Sequence, residues 1–288
     1  VLTVILGLTT SLVYGFADFF GAIASRKLSS VLVTAVAGIV GFFFLLTMMP
    51  FFGATFSQAA VVAGIAAGVA SAIGITALYA SLAIGPISII SPFGAVLGAL
   101  VPLTFGFFIG DRFGPLGWLA LALILVAVVL VGFVPGADVR LPSAKGLALA
   151  FVAGAGIGTI LIALKFSPSD SGLASVLVMR VVSAGLLNIL LLATWLRLRR
   201  RNGSSPKSII AGKFWWAVIA AGIFDSSANI FFTLALRSGS ISVVSVLTAL
   251  YPLGTIILAR LILKERIARI QMFGVLLALS GSAILGVA

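Results

Sequence analysis

The chain has 288 residues, 62% of them hydrophobic and 8% charged. A soluble domain of this size cannot hide so much apolar side chain, because core volume is limited by surface scaling, so a bilayer must be the solvent for most of it. The formal net charge is +12 with no Cys and no His, which excludes disulfides, thiol nucleophiles, His-ligated metals and His acid/base chemistry.

Apolar periodicity and turn residues predict helices over 2–23, 30–50, 58–83, 87–109 and 115–134. After the loop PGADVRLPSAK they continue over 145–165, 171–195, 212–236, 241–262 and 269–287. Punctuation falls where it should: Pro50 with Gly53, Gly85–Pro86, Gly114–Pro115, Pro135–Gly136 and Pro168 before Asp170. The first segment reads as a span, not a cleavable leader, since it lacks a basic start and a small-residue cleavage site and carries Asp18.

The chain repeats itself. Residues 85–112 return as 239–266 at an offset of 154, so that Gly85, Ser88, Ser91, Ala95 and Arg112 meet Gly239, Ser242, Ser245, Ala249 and Arg266, and Asp111 meets Glu265. At an offset of 139, Gly7 meets Gly146, Gly15 meets Gly154 and Arg26 meets Lys165. Residues 1–136 and 141–288 therefore form two repeats of five helices. Five is odd, so the second enters the membrane the other way up. The expected fold is an all-α membrane protein of ten transmembrane helices in two inverted repeats, the arrangement that supports alternating access.

Lys and Arg set the orientation. One side receives Arg112, Lys165 and Arg237, and the other receives 14 basic residues including the cluster within 197–213, with Arg180 left inside a helix. The positive-inside rule makes the richer side cytoplasmic and puts both termini outside. These basic residues lie between apolar runs, so they read as loops facing anionic lipid and not as a nucleic-acid surface.

Charges inside spans are costly and need a partner or a water-filled cavity. Asp18, Arg180 and Asp225 are the three that lie well within apolar segments. Arg180 and Asp225 fall at matching depth in consecutive helices, so an ion pair is feasible, either as static scaffolding or as part of substrate or proton handling. Asp225 is then the deep acid available for coupling. Asp18 lies nearer Arg26 and Lys27, where a solvated or locally paired acid is the competing reading. Tyr14 and Asp18, and Asp225 and Asn229, are spaced i, i+4 and share a helix face. Tyr79, Ser91 and Tyr251 complete the candidate substrate-binding set, with core packing or a bilayer-interface position as the alternative for each tyrosine. The candidate hinges are Gly85, Pro86, Pro92, Gly239 and Pro252, where a helix loses backbone hydrogen bonds and can bend. The glycine stripes Gly64–Gly68 and Gly154–Gly158 fit close helix packing.

The Tyr14–Gly15–Phe16–Ala17–Asp18 opening, the Ala77–Leu78–Tyr79 to Gly85–Pro86 segment and the paired ends Gly110–Asp111–Arg112 and Lys264–Glu265–Arg266 resemble the EamA family of the drug/metabolite transporter superfamily. Arg180 falls where that family carries an arginine in the second helix of each repeat, whereas the first repeat has Gly38 there. The resemblance is greatest to bacterial amino-acid exporters of the YddG type. It implies a multi-pass transporter of the bacterial inner membrane, not an enzyme, exporting small amphipathic metabolites such as neutral or aromatic amino acids. Exporters of cationic drugs or other metabolites, and sugar-type importers, are the alternatives. Expected partners are a small-molecule substrate and the lipid bilayer, with no nucleic acid, no metal and no cofactor, and a monomer as the unit.

Overall fold

The computed structural model describes residues 1–84, 87–132, 142–202, 214–262 and 268–285. In chain order the helices are α1 (Leu2–Ser25), α2 (Ser30–Phe52), α3 (Gln58–Ile84), α4 (Ile87–Phe108), α5 (Pro115–Gly132), α6 (Ala144–Lys165), α7 (Ala174–Asn202), α8 (Trp215–Ser238), α9 (Ile241–Thr248), α10 (Pro252–Ile262) and α11 (Arg269–Leu285). Among the described residues, α1, α2, α3, α6, α7 and α8 are long and apolar enough to cross a bilayer. The shorter α4, α5 and α11, with α9 and α10 in series, complete ten crossings.

Local chemistry sets several boundaries. The hydroxyls of Ser29, Ser143 and Ser240 cap α2, α6 and α9 by accepting from the N–H groups of Leu32, Gly146 and Val243. Pro50 sits inside the last turn of α2, and the helix stops at Gly53, whose φ of +69° a side chain would resist. The seventh helix begins at Ala174, three residues later than the sequence pattern suggests. Residues 53–55 and 171–173 pair instead: Thr55 N–H donates to Ser171 O at 3.0 Å and Leu173 N–H donates to Gly53 O at 2.9 Å.

The helix ends sort into two layers. At the layer holding residue 1, the Thr3 hydroxyl donates to Ser238 O at 2.7 Å, and Asp111 accepts from the Ser242 hydroxyl at 2.6 Å. In the opposite layer the rings of Phe20 and Trp216 meet edge-on with centroids 5.6 Å apart. Alternating crossings require this sorting.

Packing between helices has the symmetry of the repeat. The principal neighbour of α1 is α8, and that of α6 is α3. The α9–α10 pair lies along α1 as α4 lies along α6. Helices α2 and α7, and α5 and α11, pack with their own counterparts. The dominant interfaces therefore cross between the halves. The molecule is an all-α membrane protein of ten spans in two inverted, interlocked sets of five.

Small residues allow this interlock. Gly74 and Gly156 let the α3 and α6 backbones approach so closely that a Cβ on Gly74 would lie 3.0 Å from Gly156 Cα. A Cβ on Gly154 would lie 2.6 Å from Leu97 Cβ and 2.8 Å from Gly94 O, and one on Gly64 would lie 2.6 Å from Ser175 O. Both glycine stripes are thus packing surfaces, as small-residue stripes in membrane helices generally are. Facing outward instead are large apolar side chains such as Phe43, Val62 and Ile189, each more than half exposed and suited to lipid.

One span departs from a simple helix. The ninth stops at Thr248 and restarts at Pro252. Between them Leu250 N–H donates to Leu247 O and Tyr251 N–H to Thr248 O, both at 3.1 Å, and beyond the proline Leu253 N–H donates to Leu250 O at 2.9 Å. Pro252 supplies no N–H, so the chain tightens to i→i+3 bonding.

Overpacking the α4–α6 crossing should be costly. Gly154→Val is expected to destabilise by about 1–3 kcal/mol, read as a lower midpoint of thermal unfolding in detergent. Gly185→Ala, where a Cβ would meet nothing within 4 Å, should leave that midpoint unchanged.

Candidate functional site

Five helices and the α9–α10 break surround a cavity at mid-depth, with about 490 Å³ of empty space including its open mouth. The i, i+4 faces read from the sequence deliver its polar side chains: Tyr14 and Asp18 from α1, Asp225 and Asn229 from α8. Arg180 arrives from α7, and Thr248 and Tyr251 from the break. The remaining wall is mainly aliphatic, with Ile75 and Leu78 of α3 and Ile157, Ile160 and Leu161 of α6.

Arg180 Nη2 donates to Asp225 Oδ2 in a buried ion pair. Arg180 is 4% exposed and Asp225 9% exposed. Asn229 braces the pair's helix by donating from Nδ2 to Asp225 O at 2.7 Å. Polar capacity is left over. Arg180 Nε, Asn229 Oδ1, Thr248 Oγ1 and Ser226 Oγ are buried without a hydrogen-bond partner among the described residues. Asp18, 9% exposed, also lines the cavity, and no described side chain forms an ion pair or hydrogen bond with it. The site therefore offers one arginine already engaged by one aspartate, and a second aspartate that is not engaged.

This geometry alters several sequence expectations. Asp18 does not pair with Arg26 or Lys27; it lines the cavity. Tyr79 is not among the cavity-lining residues: its ring lies over Gly21 in the α1–α3 contact, and it is 2% exposed. Gly239 is the extended residue linking α8 to α9 and faces Thr3, while Pro252 opens α10. Gly85 and Pro86 lie outside the described residues, as do the side chains of Ser91 and Pro92 within α4.

Thr248 was not singled out by sequence reasoning. Other membrane-buried threonines, such as Thr10, Thr34 and Thr233, return their hydroxyls to the carbonyl four residues earlier. Thr248 makes no such bond, its hydroxyl being left without a partner at the break. The signal available was its position one turn before Pro252.

A polar, charge-bearing cavity buried at mid-depth in an inverted pair of helix sets defines a multi-pass membrane transporter of small solutes. The sequence pattern of the EamA-like transporter family matches residues 144–287, half of the chain, and the protein belongs to that family. A crystal structure 16% identical in sequence superposes over 99% of this chain and 96% of its own, with a TM-score of 0.76, which shows the shared fold. No curated protein sequence matches.

The ion pair makes a stability prediction. Arg180→Met alone or Asp225→Leu alone leaves a buried charge unopposed and should cost about 3–5 kcal/mol. The double variant should recover most of that loss, read by thermal unfolding in detergent.

Proposed function

We propose that this transporter exports small amphipathic metabolites, most simply neutral or aromatic amino acids, across the bacterial inner membrane. The observation carrying this reading is a mid-depth cavity that presents both signs of charge beside an aliphatic and tyrosine wall. An amino acid carries both charges. Arg180 could receive its carboxylate through the spare Nε, an aspartate could receive its ammonium, and the aliphatic residues suit an apolar side chain. Exporters of the amino-acid type within the family fit this chemistry. A sugar brings no charge to set against Asp18, the acid without an ion-pair partner, so a sugar-type importer gains no support from this site.

One observation favours a second reading. The cavity holds two acids and one base, and Asp18 has no partner. A cationic amine without a carboxylate would neutralise that excess, as in an exporter of cationic drugs.

Alternation between two states is supported by an asymmetry in packing. A Cβ on Gly15 would meet the backbone at Tyr251 and Gly254. One on Gly154, its repeat mate, would meet the region of Gly94, Leu97 and Gly98. At the repeat offset of 154, Gly94 corresponds to Thr248 and Leu97 to Tyr251. The two crossings thus differ by three residues, about 4.5 Å at the helical rise. Two chemically similar halves in different registers are what alternating access between repeats requires, with Gly239 and Pro252 as hinge positions in the second half. Residues 1–136 and 141–288 are the repeats in this reading.

Counterflow of a labelled panel in proteoliposomes containing only this protein tests the substrate class. Exchange of aromatic amino acids is expected. Exchange of cationic amines alone would select the second reading, and exchange of sugars alone would reject both. The Arg180→Met, Asp225→Leu double variant, once shown to be folded, should lose amino-acid exchange if the pair meets substrate. Normal exchange would assign the pair to scaffolding.

Orientation is tested separately. With both termini outside and the 197–213 loop cytoplasmic, a lone cysteine at Ser204→Cys should resist impermeant thiol reagents in intact cells and react after permeabilisation. The chain has no native cysteine to interfere.

A further inference from the structure

The coupling acid of the sequence reading, Asp225, is engaged by Arg180 and held on a helix that Asn229 braces. Asp18 is the acid left over. It shares the cavity lining with the pair, it is nine-tenths buried, and no ion pair or hydrogen bond among the described residues reaches it. Its titratable and charged surroundings are few. Tyr14 lies one turn earlier on α1, and Arg26 and Lys27 lie at that helix's end. Tyr79 packs on α1 from α3, Arg180 and Asp225 face the same cavity from α7 and α8, and Tyr251 faces it from the break. Helices α2 and α9 carry no titratable residue, α10 carries Arg260 near its far end, and α11 carries Arg269 at its start.

A nine-tenths buried carboxylate that lacks an ion-pair partner is costly to keep ionised, even in a cavity with polar lining. A bound cation or a proton removes that cost. In the empty carrier no basic side chain does so, which leaves a proton. The leftover hydrogen-bonding capacity of the cavity lining comprises an acceptor, Asn229 Oδ1, the Thr248 hydroxyl, which can accept as well as donate, and one donor, Arg180 Nε. The acceptors suit the N–H groups of an ammonium, and the donor suits a carboxylate.

We infer that Asp18 is the site where a protonated amine on the transported molecule exchanges with a proton. In the empty carrier Asp18 is a neutral carboxylic acid. When an ammonium-bearing ligand enters, Asp18 releases one proton to the adjoining aqueous phase and pairs with the ammonium. When the ligand leaves on the other side, Asp18 takes up one proton there. One substrate therefore moves against one proton, and no covalent bond other than O–H is made or broken. The aspartate never stands alone as an anion, so binding of the two cations is mutually exclusive at one carboxyl group, which is sufficient for antiport. Arg180 stays paired with Asp225, or engages the carboxylate of a zwitterion through its spare Nε, without entering the proton cycle.

This inference rests on reading the cavity as the transport site, and the test separates the two. Full-length protein in proteoliposomes is offered three probes of similar size: phenylalanine, phenethylamine, which lacks the carboxylate, and 3-phenylpropionate, which lacks the amine. Binding is followed together with proton release into weakly buffered medium. The expected result is that phenylalanine and phenethylamine bind with release of about one proton each, whereas 3-phenylpropionate does not bind. Asp18→Asn should abolish the release and weaken phenethylamine about tenfold or more, since a charge-assisted hydrogen bond is lost. Asp18→Glu should retain release.

Exchange of phenylalanine without proton release, or unchanged release in Asp18→Asn, would overturn the role of Asp18 and leave the transport reading standing. Binding of 3-phenylpropionate alone would overturn it too. If none of the three binds, the proposed substrate class falls, and infrared difference spectroscopy of the empty carrier decides about Asp18. A carboxylic-acid C=O band at neutral pH that Asp18→Asn removes would sustain the proton site. Absence of that band would overturn it. The infrared and release measurements on the unsubstituted protein stand whether or not Asp18→Asn folds.

Discussion

Arg180 cannot be left alone at the middle of an apolar bundle, and much of the surrounding architecture follows from how it is neutralised. Its guanidinium reaches across from α7 to Asp225 on α8, which fixes the rotation of both helices about their axes. Because α8 is the principal neighbour of α1, fixing α8 also fixes the face that α1 presents to the cavity. Helix α2 covers the pair. A Cβ on Gly41 would fall against the Ser226 hydroxyl and 3.4 Å from Arg180 Nε, so any larger residue there would hold α2 away. A glycine of the first half thereby shields a charge pair of the second from lipid, and a single interaction ties three helices together across the repeat.

Inverted duplication governs the rest. The largest interfaces join α1 to α8 and α3 to α6. Glycine carries these interfaces because without a hydrophobic driving force in lipid, helices associate through close backbone approach. The outward faces are free to be uniformly apolar. This explains why so few positions in the chain are polar, and why those few concentrate where the halves meet.

Scarcity is also why so much could be read from sequence. In a chain with 8% charged residues, two opposite charges at similar depth in consecutive spans have hardly any other partner to find, and Arg180 and Asp225 did meet. The offsets of 139 and 154 announced two halves, and an odd number of spans forced the inversion. The i, i+4 pairs Tyr14–Asp18 and Asp225–Asn229 pointed inward for the same reason, since polar faces avoid lipid. What sequence could not supply was the distinction between faces of a buried helix. Tyr79 and Tyr251 look alike in sequence, yet one packs on Gly21 and the other lines the cavity. Asp18 stood near basic residues along the chain, but a helix places residues 18 and 26 about 12 Å apart along its axis. Linear nearness to Arg26 and Lys27 therefore said little about pairing. The start of the seventh helix was misjudged because pairing of 53–55 with 171–173 is a contact between distant segments, invisible to local propensity.

The ninth span brings these constraints together. Pro252 removes one donor, and the chain answers by tightening to i→i+3 bonds and not by opening. A tightened segment shortens the bond pattern without exposing a run of free carbonyls, which lipid would penalise heavily. It also leaves the Thr248 hydroxyl unused and turns Tyr251 toward the cavity. At the same place Gly254 lets α10 cross α1 at Gly15, where the Thr255 hydroxyl donates to Gly15 O at 3.2 Å. Gly15 is one turn before Asp18 on the same helix. A shift of the α10 crossing along α1, by the three-residue step that separates it from the α4–α6 crossing, would thus act one turn from Asp18. Occupancy at that carboxylate and register at the crossing are then mechanically adjacent, joined by a single helical turn of α1.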